Sequence, residues 1–244
     1  MALIPPIYWL DTVDSTQLEL KQLLKESPDL EHLTSVSART QYKGRGRGVS
    51  KWHDVPGNSV LLSVFLRWER PIRESFDVNR WVCTRLGGIV PSSVSFKWPN
   101  DLMVGDRKLG GMLIENHWGA SGIKSSIVGI GMNLKSSSQD LKRSIAMDQL
   151  ETAATEAEQW VEHIRSAFAS AQNEFVDPSL LRSSYANLLW GREQWRHYHV
   201  LDQVIEAKVV GVSEDGRLLL EQKNGAQISG DVDAIKWVNP FSED

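Results

Sequence analysis

Apolar residues at 157, 160, 161, 164, 168, 171 and 175 (Ala157, Trp160, Val161, Ile164, Phe168, Ala171, Phe175) follow i, i+3, i+4, i+7 spacing. That spacing predicts an amphipathic helix near 156–175 lying across a sheet. A second stripe, Leu20, Leu23 and Leu24, follows Asp14-Ser15-Thr16, and Thr16 and Glu19 stand at capping-box spacing. The first helix therefore starts at 14–16, with Ser15 and Thr16 at its positive end. Leu181, Tyr185, Leu188 and Leu189 behind Pro178 predict a helix over 178–189. The nearly continuous apolar run 59–66 suits a strand buried on both faces. Segments 34–38, 94–98 and 125–131 also read as strands, and 102–104 with 107–115 flank Gly105-Asp106, a Gly-X pair that suits a type II′ hairpin.

Near residue 190 the pattern changes to short strand-like runs, 204–212, 218–221, 227–229 and 234–238, punctuated by Asp215-Gly216 and Asn224-Gly225. Such spacing predicts a small barrel or sandwich. The expected organisation is a larger α+β domain over 1–190 and a smaller β domain over 191–244. No internal repeat and no low-complexity stretch beyond the serines at 136–138 modifies this.

With 244 residues, 41% of them hydrophobic, the chain can bury a sizeable core, which excludes disorder and collagen-like structure. A net charge of −4 counts against a protein whose main work is holding polyanions. The single cysteine, Cys83, excludes an intramolecular disulfide and a thiolate metal cluster and fits a reducing compartment. The N-terminus has no basic residue ahead of its short apolar stretch, and no apolar run reaches membrane-spanning length. The expected location is the cytoplasm.

Within this acidic chain, Lys43, Arg45, Arg47 and Lys51 form a basic stretch around Gly44-Arg45-Gly46-Arg47-Gly48. Alternating glycines let backbone N–H groups approach a ligand, and paired arginines offer fork-shaped donors for carboxylate or phosphate. A solvated basic loop and a nucleic-acid arm are the other readings of these residues. Trp52 either stacks on a ligand or packs the loop. Val49 stands where a dinucleotide fingerprint needs glycine.

Lys97-Trp98-Pro99-Asn100-Asp101 joins a strand to a proline turn, placing Asp101 to ligate a metal or accept from a ligand hydroxyl, or simply to cap the turn. Ideal alternation puts Lys108, Gly110 and Met112 on one strand face, so the lysine either reaches over an open surface or is a solvated edge residue. Gly129 and Gly131 share another face that leaves room for a ligand or for tight strand packing. The six histidines show no H-E-x-x-H spacing, and no G-x-S-x-G elbow occurs.

Taken in order, Asp14-Ser15-Thr16-Gln17, Gln41, Gly44 to Gly48 with Lys51-Trp52, Lys97 to Asp101, Arg107 to Gly111 and Gly129 to Asn133 make a pattern that resembles the biotin protein ligases, over about residues 8–240. The resemblance implies a two-step reaction in which biotin and MgATP give biotinyl-5′-AMP and pyrophosphate, and biotin then passes to one lysine of a biotin carboxyl carrier protein domain. It implies a mixed sheet flanked by helices, akin to class II aminoacyl-tRNA synthetases, followed by an SH3-like β-barrel. It further implies a monofunctional ligase without an N-terminal DNA-binding domain, and it leaves open a homodimer formed through a sheet edge, as family members can form.

By position, Ser15, Thr16, Gln17 and Gln41 match the biotin-contacting segment, and Gly44, Arg45, Gly46 and Arg47 match the loop that orders over biotin and its adenylate, with Trp52 at its end. Lys108 matches the lysine that contacts the biotin carboxylate and the adenylate phosphate. Lys108 and Arg47 are thus the expected catalytic residues. Gly110, Gly111 and Asn133 match pocket-lining positions, and Asp101 is the expected Mg²⁺ or outer-sphere acceptor. The sequence departs from the family pattern at Val49-Ser50. Lipoate–protein ligases, which share the fold and the adenylation step, are the nearest enzymatic alternative.

Overall fold

In the computed structural model, the apolar run becomes the spine of a seven-stranded sheet. The structure describes residues 5–48, 50–136, 143–150, 156–169, 177–238 and 240. The elements are β1 (Ile7–Val13), α1 (Thr16–Glu26), β2 (Ser35–Gln41), β3 (Ser59–Ile72), α2 (Ser75–Gly87), β4 (Val94–Lys97), β5 (Asp101–Val104), β6 (Arg107–Gly119) and β7 (Gly122–Asn133). After a short 3₁₀ turn at Met147–Gln149 come α3 (Ala157–Ala169) and α4 (Pro178–Leu188). The C-terminal strands are β8 (Trp195–Val200), β9 (Gln203–Val212), β10 (Leu218–Gln222), β11 (Gln227–Gly230) and β12 (Ile235–Trp237).

Strand order in the large sheet is β1-β2-β3-β7-β6-β5-β4. Only β1 and β2 run parallel, so the sheet is mixed, as expected. β3 is apolar on both faces because both are covered. Leu20 of α1 packs with Val36, Phe65 and Ile127 on one side. On the other, Val60, Leu62, Val64 and Leu66 join Val78, Trp81 and Val82 of α2 and Trp160, Val161, Ile164 and Phe168 of α3. Trp81 packs edge-on to Trp68 and tilted against Phe168, both at 5.2 Å between ring centroids.

Two expected details change. Ser15, not Thr16, is the N-cap of α1 and makes no side-chain cap bond; the Thr16 hydroxyl is used elsewhere, as described below. The helix expected over 156–175 is described only to Ala169, and Ala171 and Phe175 lie outside the described residues. The hairpin forms where expected, with Gly105 at φ +57° between Val104 and Arg107, a backbone region that favours glycine.

The C-terminal strands form a five-stranded antiparallel sheet ordered β11-β10-β9-β8-β12. Its end strands, β11 and β12, do not pair among the described residues, so its hydrogen-bonded ladder does not close into a barrel. It shares one apolar cluster with the large sheet through Tyr198, Ala207, Val209, Leu218, Leu220 and Ile235. Polar bonds tie the C-terminal sheet to the rest: Trp98 Nε1 donates to Gly216 O at 2.9 Å, and the Arg80 guanidinium to the carbonyls of Val212, Ser213 and Glu214, while Trp190, just before that sheet, donates through Nε1 to Gly105 O at 2.6 Å. Among the described residues no helix is long and apolar enough to cross a membrane.

Candidate active site

α1 covers only part of its face of the sheet. Beyond its N-terminus a cavity of about 220 Å³ opens over β3, β6 and β7, lined among others by Ser15, Thr16, Gln17, Gln41, Ser63 and Gly129. A chain of polar contacts fixes its floor. Gln41 Oε1 accepts from the Thr16 N–H at 2.8 Å and from the Thr16 hydroxyl at 3.2 Å, and Thr16 Oγ1 lies 2.9 Å from Ser63 Oγ. Ser63 donates to Gln17 Oε1 at 3.1 Å, Gln17 Nε2 donates to Glu115 Oε2 at 2.8 Å, and Lys21 pairs with Glu115 Oε1 at 2.5 Å. The first turn of α1 is thus coupled to the site by side chains that a simple cap would have used internally.

Among the described residues, the Gln41 amide N–H groups have no protein partner and remain for a ligand carbonyl. Gly129 is forced by the same arrangement, since a Cβ there would stand 2.7 Å from Gln17 Oε1. Ser63, Lys21 and Glu115 escaped sequence reasoning. Ser63, a hydroxyl inside the apolar run 59–66 and fully buried, was the available signal.

The basic loop is a short hairpin. Arg45 bridges Lys51, Trp52 N donates to Gly44 O at 3.0 Å, and Gly46 N donates to Ser50 O at 2.9 Å, with Gly48 turning at φ +60°. Val49 lies outside the described residues. Arg45, Gly46, Arg47, Lys51 and Trp52 all line the cavity, and no carboxylate pairs with the three cations among the described residues. The hairpin borders this chain's own pocket, with Arg45, Arg47 and Lys51 exposed to solvent beside it. Gly44 does not line the cavity; it lets the hairpin close, because a Cβ there would lie 2.5 Å from Trp52 O. The Trp52 ring lies on Gly131, where a Cβ would come within 2.6 Å of Cε2.

Lys108 departs from ideal alternation. A bulge between β5 and β6 pairs Met103 with Lys108 but Leu102 with Gly110, which buries Leu109 and turns Lys108 toward the side of Gly111. A Cβ on Gly111 would stand 3.5 Å from Lys108 Nζ. Gly111 lines the cavity, whereas Gly110 lies against β7, where a Cβ would sit 2.6 Å from Gly131 O. The expected shared face of Lys108, Gly110 and Met112 is corrected accordingly.

Lys108 Nζ pairs with Asp101 Oδ1 at 2.6 Å, and Lys97 Nζ with Asp101 Oδ2 at 2.8 Å. Burial pushes the Asp101 carboxyl up, but the Lys97 and Lys108 ammonium groups outweigh it and hold the pKa below the ordinary value of 3.8. Both carboxylate oxygens are occupied by lysines, and no group of three or more His, Cys, Asp or Glu side chains placed to hold a metal occurs among the described residues. In this arrangement Asp101 holds two lysines at the edge of the site.

A carboxyl with a depressed folded-state pKa stabilises the fold above its unfolded pKa, and the contribution is lost as pH falls through the folded value. Asp101→Asn is therefore expected to lose less stability than the unaltered chain when acidified below pH 3.8. Urea denaturation at neutral and at acid pH measures this, and equal losses in both proteins would refute it.

A second cavity, about 380 Å³, adjoins the first and shares Lys51, Trp52 and Lys108 with it. Asn133, Lys135, Arg143, Ser144, Ala146 and Gln149 line its far side. Asn133 belongs here rather than to the first cavity, with Nδ2 donating to Ile145 O at 3.1 Å. Two adjoining spaces, the second bearing Lys51, Lys108, Lys135 and Arg143, are suited to a small acid beside a polyphosphate.

Residues 9–133 match the Biotin/lipoate A/B protein ligase family, and residues 199–239 match the Biotin protein ligase C terminal domain. The Bifunctional ligase/repressor BirA of Bacillus spizizenii is 27% identical over 238 residues, covering 90% of this chain and 70% of that protein. The Biotin--[acetyl-CoA-carboxylase] ligase of Paracoccus denitrificans is 32% identical over 131 residues, covering 51% of this chain and 53% of that protein. The solved biotin protein ligase from Aquifex aeolicus in complex with biotin and ATP shares the fold, with a TM-score of 0.72 at 22% identity over 96% of this chain and 98% of that one. With its large sheet matched by the first family description and its C-terminal sheet by the second, the chain belongs to the biotin/lipoate A/B protein ligase family, as a biotin protein ligase.

Proposed function

We propose that this chain is an ATP-dependent biotin protein ligase, forming biotinyl-5′-AMP and pyrophosphate and then passing biotin to a lysine of a biotin carboxyl carrier protein domain. The observation that carries this reading is the junction of a polar, glycine-floored cavity with a cation-lined one at Lys108 and Trp52. Attack of a carboxylate on an α-phosphate brings two anions together, so the site must offset their repulsion and stabilise charge on the transferring phosphoryl group. Lys108 and Arg47 supply that charge. Ser15, Thr16, Gln17 and Gln41 hold the biotin ring system, Arg45 and Gly46 cover it, and Trp52 and Gly111 shape the wall. Asn133, with Lys135 and Arg143, faces the nucleotide. In the second step an unprotonated lysine amine attacks the acyl carbon and AMP leaves with the bonding pair.

Mg²⁺ is read as accompanying ATP on its phosphates, because Mg²⁺ is usually held by few carboxylates plus substrate oxygens. Residues 1–190 are read as the catalytic unit, akin to class II aminoacyl-tRNA synthetases, and 191–244 as an SH3-like unit; short turns at Gly216 and Gly225 support the latter. The free edge of β1, with Tyr8 and Trp9 exposed, supports a homodimer paired along that edge. The lone buried thiol of Cys83 fits a cytoplasmic location.

Exchange of labelled pyrophosphate into ATP, run with biotin and with lipoate in parallel, tests the reading. The expected result is exchange with biotin. Exchange with lipoate alone, or with neither acid, would overturn it.

A further inference from the structure

Lys97 lies outside both cavities of the site. It lines a third space of about 220 Å³ between the two sheets, with Trp98, Asp101, Trp190, Tyr198 and Trp237. Its ammonium group sits 5.4 Å from the centroid of the Trp237 ring in β12, within cation–π range. Trp237 is itself fixed, edge-on to Trp190 at 4.7 Å and with Arg196 5.8 Å from its centroid. Arg196 of β8 pairs with Asp106 at 2.7 Å, so the C-terminal sheet grips the β5–β6 turn as well as Lys97, and Trp190, just before that sheet, donates to Gly105 O in the same turn.

Lys108 is the most exposed of the three side chains, at 43% against 23% for Lys97 and 15% for Asp101. Two lysines around one carboxylate leave the group with one net positive charge, and the most open member is the lysine at the junction of the two cavities. Lys108 already touches Asp101 at 2.6 Å, so without Lys97 the two would form a neutral pair with a weaker field on the substrate anions.

We propose that Lys97, held by Trp237, is a positioning residue for adenylation: by occupying one oxygen of Asp101 it keeps the charge of Lys108 available to the substrates. This rests on the adenylation reading above. It makes the C-terminal sheet part of the machinery for the first chemical step.

The test is pyrophosphate exchange by Lys97→Met, which keeps an unbranched apolar stem against Trp237 but removes the charge. The turnover rate is expected to fall about tenfold or more, with KM for biotin and ATP little changed. Lys97→Arg, which retains charge and ring contact, is expected to recover most of the rate. In an Asp101→Asn background Lys97→Met is expected to cost little more, because no carboxylate charge remains to neutralise. Trp237→Leu is expected to slow the enzyme less than Lys97→Met and to add nothing to it.

Near-normal exchange by Lys97→Met would overturn the proposal, as would Lys97→Arg performing no better than Lys97→Met, or an equal cost of Lys97→Met with and without the Asp101 carboxylate. If the unaltered chain shows no biotin-dependent exchange, the adenylation reading itself has failed. A loss confined to the Lys97 variants leaves that reading standing.

Discussion

Lys108→Ala is expected to lower biotin-dependent pyrophosphate exchange by roughly a hundredfold or more, the scale on which removing one donor from a preorganised site costs about 2.7–4 kcal/mol of barrier. The cation shared by both cavities disappears, and the group of Lys97, Asp101 and Lys108 falls from one net positive charge to none, so it no longer attracts an incoming carboxylate. Lys97 still pairs with the Asp101 carboxylate and the Lys108 side chain is 43% exposed, so the variant is expected to remain folded, which its thermal midpoint checks. A group that acts in the transition state lowers kcat and kcat/KM together, whereas one that only binds substrate raises KM. Steady-state exchange at varied biotin separates these outcomes. Near-normal exchange in a folded Lys108→Ala protein would remove Lys108 from the chemistry.

The position of Lys108 also marks where sequence reading stops. Strand 59–66, the turn at Gly105-Asp106 and the start of α1 were legible because apolar periodicity and turn chemistry act locally. The face on which Lys108 lies was not, because period-2 alternation assumes no inserted residue and the bulge inserts one. Strand β1 was missed because an edge strand with Asp11 and Thr12 exposed lacks a continuous apolar face. Helix α2 was missed although Val78, Trp81, Val82 and Leu86 stand at helical spacing; buried Asp77 and Arg80, paired at 2.6 Å, interrupt the stripe with charge. Order and spacing of motifs located Thr16, Gln41, Arg47 and Trp52 around one cavity. They did not reveal that Asp101 is taken by two lysines, since that depends on the packing of β4, β5 and β6.

Gly131→Val is expected to cut adenylate formation on the same scale as loss of one charged donor, about a hundredfold, without unfolding the chain. Gly131 lies within β7, next to Gly111 and Leu61 on the adjacent strands, and a Cβ there would come within 2.6, 2.8 and 2.9 Å of Trp52 Cε2, Cδ2 and Cζ2. The strand itself would accept valine, since β-branched residues suit extended backbone. The indole would have to leave. Trp52 is bonded through its backbone to Gly44, and the same hairpin carries Arg45 and Arg47, so lifting the ring carries the cations away from the junction of the cavities. Gly131→Ala, with less bulk against the ring, should give an intermediate loss. Retained thermal stability with graded loss of exchange from Gly to Ala to Val would show that this glycine serves the seating of Trp52. A parallel fall in stability would instead mean that Gly131 serves only strand packing, and undiminished exchange in Gly131→Val would mean that the hairpin needs no such seat.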